Sequence, residues 1–236
     1  MSPVTAMSPV TAISLVTAMS PVTAMSPDTA MFPDTVGILL VGGLSRRMGG
    51  GDKALCLLGG RPILDHVIAR ARPQVGRLIL NANGDPARFA SFGLPVVADA
   101  IEGHAGPLAG VLTGLEWLAA HAPEARWLAS FPADAPFLPC DLVARLGAGI
   151  ADGGAEIACA VSAGRAHPVC ALWPLRLAGE LRRAMIEDGA RKVEDWAARH
   201  RLARVEFSAA PLDPFFNVNG PADLAEAERL LGRSRT

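Results

Sequence analysis

Beyond residue 35 the apolar and polar positions fall into two alternating rhythms. Short apolar runs, at Val36 to Val41, Arg77 to Asn81, Leu94 to Ala98 and Trp127 to Phe131, predict buried strands. Between them, apolar residues recur every three or four positions. Ile63, Val67 and Ala71, flanked by Leu64 and Ile68, mark one face of a helix whose opposite face is basic, opened by Pro62 after the turn Gly59-Gly60. Leu108, Val111, Leu112, Leu115 and Leu118 repeat that period behind Gly106-Pro107. Downstream the pattern predicts a helix from Asp141 to Leu146, strands near Glu156 to Val161 and Pro168 to Trp173, and two helices. The first of these helices carries Leu177, Leu181 and Ala184, the second Val193, Trp196 and Ala197. A strand at Ala203 to Phe207 and a helix from Ala222 to Leu231 close the chain. Strand-like and helix-like segments in alternation imply an α/β fold built on a mostly parallel sheet.

Residues 1–35 follow neither rhythm. They repeat a hexapeptide of the form Met-Ser-Pro-Val-Thr-Ala, with proline in almost every copy and no Lys or Arg of the kind that opens a signal peptide. The expectation is a flexible, low-complexity leader, with 36–236 as a single domain in which no linker is visible. Half of the 236 residues are hydrophobic and 19% are charged, enough apolar material for a sizeable core. A formal net charge of -1 provides no global attraction to nucleic acid or to an anionic membrane, so any grip on phosphate must be local. Cys56, Cys140, Cys159 and Cys170 contain no C-x-x-C pair and no zinc-like spacing with histidine, which points to a reduced, cytoplasmic protein. No apolar run is long enough to span a bilayer.

The first strand runs into Gly42-Gly43-Leu44-Ser45-Arg46-Arg47-Met48-Gly49-Gly50-Gly51-Asp52-Lys53. Glycines let backbone N–H groups approach a ligand closely, and Arg46, Arg47 and Lys53 set three cations against one aspartate. The combination suits a nucleoside triphosphate. It is not a P-loop, because Lys53 is followed by Ala54 rather than Ser or Thr, and it lacks the Gly-x-Gly-x-x-Gly of a dinucleotide site. A loop after the first strand of an open α/β sheet lies at the carboxyl edge, where ligands bind. Asn217 and Asn219 precede the last helix, where capping alone could explain Asn219. No Ser-His-Asp or Cys-His arrangement is evident.

Leu40-Val41-Gly42-Gly43 followed by Ser45-x-Arg47-Met48-Gly49 and Asp52-Lys53 resembles the nucleotidyltransferase signature, specifically that of the molybdenum cofactor guanylyltransferase family. Asn81-Ala82-Asn83, Asp99, Gly106-Pro107-Leu108-Ala109-Gly110, Asp134-Ala135-Pro136, His167-Pro168 and Asn217-Val218-Asn219 look like that family's later motifs, in order, over roughly residues 36 to 231. One departure is Gly220 before Pro221, where the family has Thr-Pro.

The resemblance implies a Rossmann-like three-layer sandwich with helices on both faces, and transfer of GMP from GTP to molybdopterin with release of pyrophosphate. It implies that Arg47, Lys53 and Asp134 are catalytic and that Asp134 binds Mg²⁺. Leu40, Val41, Gly42, Gly43, Lys53, Asn81, Asp99 and Asp134 would contact the nucleotide, and Arg165, His167, Asn217 and Asn219 would line the pterin side. Molybdoenzyme apoproteins are possible partners. A phosphate monoester is largely ionised at neutral pH, so an attacking phosphate needs no general base. Two rivals stay open at this point. One is a sister enzyme using CTP or a sugar phosphate, against which Gly42-Gly43 speaks because cytidylyl relatives look like Ala-Ala-Gly there. The other is a nucleotide-binding protein without catalysis.

Overall fold

In the computed structural model, residues 32–41, 52–103 and 106–233 are described here. The predicted leader lies outside them except for its last residues. Of these, Thr35 is already the first residue of strand β1 (Thr35–Leu40), buried and paired with Trp127. Gly42, Gly43, Arg46 and Arg47 also lie outside the described residues.

The hairpin β2 (Leu57–Leu58) and β3 (Arg61–Pro62) turns through Gly59 and Gly60, both at positive φ where glycine avoids a Cβ clash. It leads into helix α1 (Ile63–Ala71). Pro62 is the N-cap of α1, with extended backbone, rather than its first helical residue. Strand β4 (Arg77–Asn81) comes next, then the short edge strand β5 (Val96–Val97), trimmed from the predicted Leu94 to Ala98. Its flanking residue Pro95 has no N–H to offer a ladder. Helix α2 (Pro107–His121) starts at the predicted proline and is followed by β6 (Trp127–Pro132).

Helix α3 (Leu142–Gly153) runs two turns beyond the predicted Leu146. Gly147 and Gly149 weaken helix propensity, but a Cβ on Gly149 would sit 2.6 Å from Val205, so the glycine permits close approach to a neighbouring strand. Strands β7 (Ile157–Ser162) and β8 (Arg165–Pro174) form a hairpin, and β8 is longer than predicted. Pro168 is accommodated inside it because the register shifts between Cys159 and Ala160, making an irregularity at which no ladder N–H is required. Helices α4 (Ala178–Ile186) and α5 (Val193–Ala197), strand β9 (Leu202–Phe207) and helix α6 (Pro221–Arg233) complete the order.

Seven strands form one sheet in the order β5-β4-β1-β6-β8-β7-β9, in which only β8 runs against its neighbours. Alternate side chains on the central strands feed two cores. Val36, Ile38, Leu40, Ile79 and Leu128 face α2, α4 and α5. Leu39, Leu78, Leu80, Ala129 and Phe131 face α1, α3 and α6. The three-layer α/β sandwich with a mostly parallel sheet is therefore realised, and the central strand β1 is buried along its whole length because both of its faces are covered. No helix among the described residues is long and apolar enough to cross a membrane.

One polar contact is built into the core that faces α2, α4 and α5. The indole N–H of the fully buried Trp173 donates to Ser130 Oγ at 2.9 Å, and Ser130 Oγ donates to the Val169 carbonyl at 2.6 Å. Ser130→Ala would strand the indole N–H in an apolar layer, and a loss of about 1–3 kcal/mol in unfolding free energy is expected from denaturant titration.

Candidate active site

Parallel pairing aligns Leu40 with Asn81 on one side and with Pro132 on the other, so three strand ends reach the same edge of the sheet. Strand order reverses at β1, since the chain moves outward to β4 and β5 before returning to β6 on the opposite flank. That is the crevice where open α/β sheets bind ligands. A cleft of about 570 Å³ lies there, bordered by Leu40, Val41, Asn81, Asp99, Gly106, Asp134 and Asn217, among others. The antiparallel β8 brings Val169 to the same wall.

One side of the cleft is an amide–carboxylate lattice. Asn81 Nδ2 donates to Asp99 Oδ1 at 3.0 Å and to the Val97 carbonyl at 3.1 Å. Asn83 Nδ2 donates to Asp99 Oδ2 at 2.8 Å, while Asn83 Oδ1 accepts the Asp99 backbone N–H at 2.9 Å. Both oxygens of Asp99 are thus held by neutral amides, which fixes the carboxylate without cancelling its charge. Helix α2 crosses close behind. A Cβ on Gly110 would lie 2.4 Å from Asn81 Oδ1 and 2.6 Å from Leu40, so the small residue at this point of the Gly106-to-Gly110 motif is a packing requirement. Gly106 caps the helix at φ 142°, followed by Pro107 at the first helical position.

The opposite side carries the charge. Lys53 starts a 3-10 turn and its Nζ donates to Asn219 Oδ1 at 3.0 Å. The Asn219 backbone N–H in turn donates to Asp223 Oδ2 at 2.8 Å, and the Val218 N–H donates to the Asp134 carbonyl at 2.9 Å. The Asn217-to-Asn219 segment therefore joins Lys53 to Asp134, and Asn217 itself lines the cleft. Burial raises the Asp134 carboxyl above its ordinary value, with the nearby Lys53 charge and its own backbone N–H opposing the rise.

Asp134 and Lys53 are 81 residues apart in sequence and meet only here. Among the described residues no group of three or more His, Cys, Asp or Glu is placed to hold a metal ion. Asp134 is the carboxylate here that could hold Mg²⁺, an ion that commonly takes one or two carboxylates and completes its shell with substrate phosphates and water.

Arg165 and His167 stand apart from this cluster and are not among the residues lining the cleft. Arg165 is exposed at the β7–β8 turn, where Ala163 and Gly164 have positive φ. The His167 ring stacks on Phe215 at 4.5 Å between centroids, and its Nε2 lies 2.8 Å from Ser162 Oγ. Ser162 Oγ donates to Asp213 Oδ1 at 2.9 Å, so it accepts from an Nε2–H of the imidazole. Burial pushes the His167 pKa down and Arg165 adds to that, with Asp213 opposing, which favours a neutral ring. Asn83, Asp52 and Arg88 line the cleft but are absent from the sites predicted by sequence. The first two lie inside the quoted motifs; Arg88 is marked by no motif at all.

An open, mostly parallel sheet with a cleft at its strand-order reversal, an amide-held carboxylate on one wall and Asp134 under the influence of the Lys53 charge on the other, is the arrangement of the nucleotidyltransferase class. The MobA-like NTP transferase domain matches residues 37–204, and the chain belongs to that family. It is 59% identical over 193 residues to molybdenum cofactor guanylyltransferase of Rhodopseudomonas palustris (strain BisB5), covering 82% of this chain and 92% of the relative. With the protein of the same name from strain HaA2 it shares 58% over 196 residues, covering 83% and 92%. Among solved structures, molybdopterin-guanine dinucleotide biosynthesis protein A from Archaeoglobus fulgidus superposes with a TM-score of 0.63 at 23% identity, covering 84% of this chain and 99% of that one. At that identity the superposition speaks to the fold.

The raised Asp134 pKa has a stability consequence. Folding favours the neutral carboxyl, and that contribution is present below the ordinary value of 3.8 and is lost as pH rises through the higher folded value. At neutral pH the ionised group opposes folding of the metal-free chain. Asp134→Asn is expected to melt at the same or a higher temperature than the parent at pH 7, a difference that closes in acid; a clear drop at pH 7 would contradict this balance.

Proposed function

We propose that this nucleotidyltransferase moves GMP from GTP to the terminal phosphate of molybdopterin, with Mg²⁺, releasing pyrophosphate. The observation that carries the reading is the extended similarity to proteins named molybdenum cofactor guanylyltransferase, over 92% of their length, coupled with a cleft wall at which the Lys53 charge acts on Asp134. In this reading Lys53, together with Arg47 of the glycine loop, draws the triphosphate to the cleft and stabilises charge on the α-phosphoryl oxygens and the departing pyrophosphate. Leu40, Val41, Gly42 and Gly43 are assigned to the nucleotide on the strength of the sequence motif. Asn81 and Asp99 orient the nucleoside, their amide–carboxylate contacts holding both side chains in place before substrate arrives.

Asp134 is the residue that would hold Mg²⁺, which would supply positive charge to offset that of the phosphates. Asn217 and Asn219 position the acceptor next to Lys53. Arg165 and His167 serve the acceptor from further out, as a cationic rim and a neutral, stacked ring. The attacking phosphate is already ionised, so in this reading Asp134 is needed for metal binding and not for proton abstraction. Unpaired thiols suit a reducing, cytoplasmic setting, from which the product would pass to molybdoenzyme apoproteins.

The test is pyrophosphate release from the purified protein with Mg²⁺, molybdopterin and each nucleoside triphosphate in turn. Turnover is expected with GTP alone and is expected to vanish in Asp134→Asn while the protein stays folded. Preference for CTP, or a requirement for a sugar phosphate, would move the chain to a sister activity, and binding without pyrophosphate release would make it non-catalytic.

A further inference from the structure

The glycine loop ends at Asp52, whose neighbour Lys53 is the cation that acts on Asp134, and a carboxylate at that point ought to weaken any grip on a triphosphate. Asp52 occupies the N-cap of the 3-10 turn Lys53–Leu55, yet its side chain makes no capping hydrogen bond. Its Oδ2 instead lies 3.2 Å from Arg88 Nη1, and its side chain is only 7% exposed, so solvent screens the charge weakly. Lys53 points its amine at Asn219, which leaves Arg88 as the cation facing Asp52 among the described residues.

The same guanidinium reaches the other wall. Arg88 Nη2 donates to the backbone carbonyl of Asn83, the residue whose side chain clamps Asp99. Arg88 is itself held on the 3-10 turn Pro86–Phe92, which Asp85 caps through the Ala87 N–H at 2.9 Å. Its guanidinium lies 4.9 Å from the ring centroid of the buried Phe89. Gly84, at φ 85°, wraps the chain around it, with the guanidinium nitrogens 3.8 Å from where a Cβ would stand.

We propose that Arg88 is a positioning residue for the nucleoside triphosphate: it neutralises Asp52, so that the charge of Lys53 stays available to phosphate, and it ties the end of the glycine loop to the Asn83–Asp99 wall. The inference rests on the guanylyltransferase reading for its ligand and on the Asp52–Arg88–Asn83 geometry for its mechanism. Removing Arg88 alone leaves a buried carboxylate uncompensated beside the phosphate site, which is worse than removing both charges.

The experiment is a double-mutant cycle on the full chain, using GTP with Mg²⁺ as the probe in calorimetry, pyrophosphate release for KM and kcat, and melting temperature without ligand. Arg88→Ala is expected to weaken GTP at least about tenfold, mainly through KM. Arg88→Ala combined with Asp52→Asn should bind within about threefold of Asp52→Asn alone, because the two effects are not additive when the residues act as a pair. If Arg88→Ala binds GTP like the parent, or the double variant is no better than Arg88→Ala, the inference fails, the second result marking Arg88 as a direct phosphate ligand. Should Arg88→Ala not fold, the double variant is compared with Asp52→Asn, and a large further loss of GTP affinity overturns the proposal. A parent chain that binds no GTP overturns the functional reading instead. The pairing is then decided by melting temperature, where Arg88→Ala must fall below the double variant and equality would sink it.

Discussion

The register of β1 between β4 and β6 is the constraint on which everything else depends. Because Leu40 pairs with Asn81 on one side and Pro132 on the other, three loops leave the sheet at one level. The loop after β1 delivers Lys53, the end of β4 delivers Asn81 and Asn83, and the turn after β6 delivers Asp134. A slip of one residue in any of these pairings would turn apolar side chains from one core to the other, which the burial of both sheet faces forbids. The cleft is a by-product of packing: two apolar layers hold the strands in register, and the register assembles the polar edge.

That edge uses two different strategies for placing charge. Asp99 is surrounded by neutral amides that fix its direction and leave its charge whole. Asp134 is desolvated, so its carboxyl is raised, and the cation near it is Lys53. Side chains arranged in this way cost stability in the empty protein and are expected to gain it when a cation or phosphate completes the set. The last helix contributes through the segment before it, where Val218 is tied to Asp134 and Asn219 to Lys53. The C-terminal part of the chain thereby closes the site that the N-terminal half opens.

Much of this was legible from pattern alone. Short apolar runs located every central strand and the helical period behind Gly106-Pro107 located the α2 start, because strands buried on both faces and helices packed on a sheet leave strong local signals. Boundaries moved where a local rule met a tertiary need. Gly147 and Gly149 are weak helix formers, yet α3 continues through them, and at Gly149 the missing side chain lets the helix approach Val205 of β9. Pro168 reads as a strand start, yet β8 begins at Arg165 because a register shift absorbs the missing N–H.

By itself the sequence determined the α/β class, the order of the elements, the basic glycine loop and the ordered motifs that place the chain among nucleotidyltransferases. These are local properties: periodicity, turn chemistry and residue types at short spacing. Tertiary structure decided which polar residues share a site. Lys53 meets Asn219 across 166 residues, Asp52 meets Arg88 across 36, and His167 turns away to stack on Phe215. Such pairings arise from strand register and helix docking, which bring together ends of segments whose own sequences carry no record of one another.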